Sequence, residues 1–147
     1  MFKSITNYLL LIFTVLGVSN VANAENMKKF DALEVHYIGL PTTVLQPDIA
    51  KNYGIERSRY RGFVNISVLD TSKDGNPALK VGISGKATNL IGQPMTLEFE
   101  EIKEGSAIYY ITTVKYPNDE LYRFDILINN NGKEHRLKFE QKFYVDQ

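Results

Sequence analysis

The side chains able to do chemistry in this sequence are few, and two groups stand out. His36 lies two residues from Glu34 and beside Tyr37, which is the raw material of a general base or a metal ligand. The stretch from Tyr53 to Gly62 reads Tyr-Gly-Ile-Glu-Arg-Ser-Arg-Tyr-Arg-Gly and places Arg57, Arg59 and Arg61 at every second position. On an extended backbone the three guanidinium groups point to one side, where they would grip a carboxylate or phosphate. Ser58, Tyr60 and Tyr53 add hydroxyls and flat contact area of the kind interfaces favour. The competing structural reading is a charged edge segment that resists pairing, or arginines neutralised internally by Glu98, Glu100 or Glu101.

Other chemistries lack their residues. His135 is far along the chain from His36, and no H-x-H or H-E-x-x-H spacing occurs. Without cysteine there is no thiol nucleophile, no disulfide and no thiolate metal site. Ser58, Ser67, Ser84 and Ser106 sit in no G-x-S-x-G context, and Gly82 and Gly85 fall inside a strand pattern rather than a phosphate loop. The expectation is therefore no catalytic residue, no metal and no cofactor. Lys plus Arg and Asp plus Glu each total 17, so no global charge draws the chain to nucleic acid or to an anionic membrane. The basic row Arg136, Lys138, Lys142 reads as a solvated strand face.

The elements that must position these residues begin with an export signal. One positive charge at Lys3, the apolar run Leu9 to Val18 and the small residues Ala22 and Ala24 form a three-part signal peptide over residues 1–24. The apolar run is about half of the roughly 20 residues needed to span a membrane, so the reading is cleavage rather than a stable membrane anchor. No cysteine is available for lipid attachment. Of 147 residues, 24 are removed and 123 remain, enough for one domain over residues 25–147.

That region alternates apolar and polar residues between turn signals, the pattern of antiparallel β-structure. Strands are expected near residues 33–38, 60–70, 79–88, 95–100, 107–116, 122–128 and 136–145, with Gly39-Leu40-Pro41 ending the first. A helical turn is expected over residues 47–53, opened by Pro47 and closed at Gly54. The alternation slips at Glu101-Ile102, which reads as a bulge or strand end. Ile108 to Ile111 is apolar on both faces, which marks a strand covered on both sides. Asn131-Gly132 is a tight hairpin signal. About seven such strands fit an all-β, immunoglobulin-like antiparallel β-sandwich, with a small antiparallel barrel as the alternative.

Several segments together resemble a bacterial secreted family, the domain of unknown function 4426. They are Val35-His36-Tyr37, Leu45 to Ala50, Tyr53-Gly54-Ile55 with Arg57-Ser58, Asn89-Leu90, and Ala107 to Tyr110. The resemblance covers the mature region and implies a small periplasmic protein; it brings no activity, cofactor or site residue with it. The leading expectation is a non-catalytic binding or interaction module of the periplasm, meeting an unidentified periplasmic protein or a small anionic ligand. Two alternatives accompany it: an enzyme built around His36, and an envelope assembly factor or chaperone that offers a sheet edge.

Overall fold

The computed structural model describes residues 25–145, so the signal segment expected over residues 1–24 lies outside the described residues. The described residues form two antiparallel sheets packed face to face, with no closed barrel among them. Nine strands build them: β1 (Asn26–Phe30), β2 (Leu33–Pro41), β3 (Arg61–Asp70), β4 (Gly82–Thr88), β5 (Pro94–Leu97), β6 (Glu100–Glu104), β7 (Ala107–Lys115), β8 (Glu120–Asn130) and β9 (Lys133–Phe143). One sheet has the order β1-β2-β3-β7-β6 and the other β5-β4-β8-β9. A helical turn, α1 (Pro47–Asn52), lies between β2 and β3.

Alternation along each strand supplies the main core. Val35, Val64, Ile66, Val68, Tyr110 and Val114 face Phe124, Ile126, Ile128, Leu137 and Phe143 across the sandwich. The β8–β9 turn is the hairpin its sequence announces. Asn131 and Gly132 have φ of 51° and 89°, and the Gly132 amide donates to Asn129 Oδ1 at 2.8 Å.

The two extra strands have physical reasons. β1 is exposed along most of its length and shows no apolar alternation. The slip at Glu101-Ile102 is a change of sheet: β5 ends at Leu97 in the four-stranded sheet, and β6 begins at Glu100 in the five-stranded one. The first strand also runs on through Gly39-Leu40-Pro41, because the opposite strand pairs Pro41 with Gly62 and keeps the ladder intact. The expected break at those residues is thereby corrected.

A second, smaller core sits on the outer face of the five-stranded sheet. Ile38, Leu40, Phe63, Tyr109 and Ile111 project outward and are covered by Leu45, Ala50 and Ile55 from the α1 segment. This explains the doubly apolar β7: Tyr110 faces the main core, and Tyr109 and Ile111 face the α1 segment. Pro47 opens α1, whose capping residue is Tyr53, and Gly54 turns the chain at φ 66°. The loop carrying the arginines is thus held over a packed surface.

Candidate functional site

The Arg/Tyr segment is built on a short rigid loop. Thr42, fully buried in the turn after β2, uses one hydroxyl for two bonds: it donates to the Ser58 carbonyl at 3.0 Å and accepts from the Ser58 amide at 2.9 Å. Ser58 Oγ accepts from the Tyr60 amide at 3.1 Å, and the Arg61 amide donates to the Ser58 carbonyl at 3.1 Å. The Tyr116 amide closes the other side on the Tyr60 carbonyl at 2.9 Å. These bonds curl residues 58–61 into a turn, so the three arginines do not form the expected extended row.

Each arginine has its own partner instead. Arg57 Nη2 donates to the Thr43 carbonyl at 3.0 Å and ties the two loops together. Arg59 lies 5.0 Å from the Tyr60 ring centroid and donates to its hydroxyl at 2.8 Å, which braces an exposed ring. Arg61 pairs with Glu56 at 2.9 Å. The internal pairing expected with Glu98, Glu100 or Glu101 is replaced by these shorter-range contacts.

Arg61 alone of the three lines a pocket of about 460 Å³, together with Glu56, Ser58, Tyr60, Lys115, Tyr116 and Pro117. Arg61 and Lys115 stand directly opposite each other on β3 and β7. Two cations face one carboxylate, so the pocket keeps a positive excess beside a tyrosine wall. Lys115, Tyr116 and Pro117 were not singled out by sequence. They come from the end of a strand remote in the chain, and only the β3–β7 register brings them to Arg61. A second hollow of about 470 Å³ lies on the outer face of the four-stranded sheet. Within it Arg123 pairs with Glu140 at 3.1 Å, and Asp125 is held from outside by Arg136 at 2.6 Å.

The other predicted residues lie elsewhere. Tyr53 turns away from the pocket and donates its hydroxyl to Glu104. Burial holds the Glu104 carboxyl above the usual carboxylate range. Burial likewise raises the Tyr109 hydroxyl, with the charges of Glu104 and Glu25 adding to the effect. Tyr37 points into the main core and packs on Phe139 at 4.5 Å between ring centroids.

His36 is on the opposite face of β2 from Tyr37. Its Nε2 meets Glu34 at 2.6 Å and its Nδ1 meets Glu25 at 2.8 Å. Each ring nitrogen is thus already engaged by a carboxylate of the same chain. Among the described residues, no group of three or more His, Asp or Glu is arranged to hold a metal ion.

The sequence model of the Domain of unknown function (DUF4426) matches residues 27–146. The chain belongs to the DUF4426 family. A crystal structure of a DUF4426 protein from Pseudomonas aeruginosa is similar over 84% of this chain and 97% of that one, with 27% identity and a TM-score of 0.72. A copper-bound variant of FetP from uropathogenic Escherichia coli shares the fold at 12% identity and a TM-score of 0.57, covering 82% of this chain and 95% of FetP. FetP as isolated, expressed in the periplasm of E. coli, aligns at the same identity and TM-score over 85% and 97%. No curated protein matches the sequence.

Proposed function

We propose that this DUF4426 protein is a non-catalytic binding module of the periplasm, which receives an anionic group of a partner protein or small ligand between Arg61 and Lys115. The observation that carries the reading is the pocket in which these two cations face each other across paired strands. Arg61 presents a planar fork suited to a carboxylate or phosphate, and Lys115 adds a mobile point charge. Tyr60 supplies the flat wall, Arg59 holds that ring in place, and Arg57 and Ser58 fix the loop that carries both. Tyr53 acts one step further out by anchoring the α1 segment to Glu104.

Export rests on the three-part signal read in residues 1–24. Among the described residues, no helix is long and apolar enough to cross a membrane.

Photocrosslinking from position 60 in living cells tests the reading, with the trapped species identified by mass. The expected result is a discrete adduct that disappears when Arg61 and Lys115 are both replaced by alanine. The same adduct at the same yield in a folded double variant would remove the pocket from consideration.

A further inference from the structure

The two sheets are unequal, and the mismatch leaves a place for one more strand. β1 pairs with β2 in the register Asn26–Tyr37, Lys28–Val35 and Phe30–Leu33, so Asn26, Lys28 and Phe30 point to the same side as the core residues Tyr37, Val35 and Leu33. Yet Asn26 and Lys28 are exposed. The facing sheet ends at β9, which lies over β2 through the Tyr37–Phe139 contact. At its start β9 reaches the end of β1: the His135 ring lies 5.3 Å from that of Phe30, and Lys133 pairs with Asp31 in the β1–β2 turn at 2.6 Å. β9 has 11 residues, and among the described residues no strand pairs with its outer edge. Half of its backbone N–H and C=O groups point into that space.

We propose that this edge accepts an extended segment of another protein as a tenth strand, laid along β9 and over β1. Addition of one strand makes the sandwich five on five, covers the inward side of β1 and satisfies the open β9 ladder. The occupant is not a second copy of this chain joined β9 to β9. In each copy the five-stranded sheet projects one strand past β9, so the two β1 strands would compete for the same space.

Charge defines the guest further. On the outward row of β9, Arg136 is neutralised by Asp125 and Glu140 by Arg123. Lys138 and Lys142 have no carboxylate partner among the described residues; Glu134 is the unpaired carboxylate of the row. Lys142 lies 5.1 Å from the Tyr144 ring, which leaves its ammonium available to an acceptor. The guest strand therefore carries carboxylates on its outward row and apolar side chains on its inward row, beside Phe30 and Phe139.

The probe is a ten-residue peptide of alternating valine and glutamate, compared with a valine–lysine repeat and with the acidic peptide interrupted by a central proline. Fluorescence anisotropy reads affinity, and amide exchange by NMR reads β9. The acidic peptide is expected to bind best and to slow exchange of the outward β9 amides, while proline abolishes both effects. Changing Lys138→Glu and Lys142→Glu together is expected to weaken the acidic peptide by about tenfold or more and favour the basic one. Absence of binding, equal binding of acidic and basic peptides, or undiminished binding of the proline peptide overturns the proposal. The Arg61→Ala, Lys115→Ala variant separates it from the pocket: unchanged peptide affinity supports the edge, and lost affinity places the peptide in the pocket instead.

Discussion

Gly62 of β3 lies flat against the ring of Phe143 on β9: a methyl group at Gly62 would come 2.5 Å from Phe143 Cε1. Phe143 is almost wholly buried and stacks on Tyr116 at 5.2 Å between centroids, so the ring has little room to retreat. Overpacking of this kind typically costs about 1–3 kcal/mol. Gly62→Ala is expected to destabilise the fold by that amount in urea unfolding, and Phe143→Leu in the same chain is expected to recover part of the loss. Simple additivity of the two substitutions would show that the contact is not the cause.

The candidate pocket and the fold should be separable. Glu56 and Lys115 are exposed, so water reaches the Arg61–Glu56 pair from one side even though Arg61 keeps only 20% of its side chain in solvent. Exposed pairs are worth at most about 1 kcal/mol. Replacing Arg61 and Lys115 by alanine should therefore leave the unfolding midpoint nearly unchanged while the crosslink from position 60 is lost. A large stability loss would recast both residues as structural.

The Tyr53–Glu104 bond joins the end of α1 to the edge strand β6. Burial raises the folded Glu104 carboxyl above its unfolded value. For an acid with a raised folded value, the folded state binds the extra proton. Stability from this group is thus greatest in acid and is lost as pH rises through the raised value. Glu104 Oε2 is buried without a partner, so the Tyr53 hydroxyl is an important remaining support for the charge. Tyr53→Phe is expected to cost roughly 1–3 kcal/mol at neutral pH and less in acid. Glu104→Gln keeps an acceptor for Tyr53 and should flatten this part of the pH profile. Urea unfolding at the two pH values checks both, and an equal loss at each for Tyr53→Phe contradicts the role given to the carboxylate.

Much of the sandwich is legible because period-two burial leaves its mark directly on β3, β7, β8 and β9. β1 leaves no such mark, since it buries neither face and is ordered by pairing with β2 alone. The step from β5 to β6 registers in sequence only as a slip, because Ile102 is apolar toward the smaller outer core while Glu101 takes the inward side beside Tyr110. At the site, Arg61, Tyr60 and Ser58 are legible from composition, whereas the extended row of arginines is not what forms. Thr42 pins Ser58 from a loop sixteen residues away, and no local pattern encodes that bond. Lys115 is invisible for the same reason: only the pairing of β3 with β7 makes it a neighbour of Arg61.

The alkaline limb of stability should be set by buried tyrosines. Burial, followed by the Glu120 carboxylate, pushes the Tyr122 hydroxyl up to about 12 from an ordinary value of 10.0. That hydroxyl donates to the Lys115 carbonyl at 3.1 Å and approaches Glu120 at 3.0 Å. Burial raises Tyr109 and Tyr110 in the same direction. Each group holds its proton longer folded than unfolded, so the folded state binds more protons above pH 10, and for Tyr122 the window runs to about 12. The stabilisation is complete below pH 10 and declines as pH rises through that window. Tyr122→Phe should remove part of the decline while costing about 1 kcal/mol at neutral pH through its lost hydrogen bond to a carbonyl. Unfolding midpoints measured across the alkaline range, together with tyrosinate absorbance of the folded protein, test this. Tyrosinate absorbance that develops fully near pH 10 while the fold remains intact would contradict the burial argument.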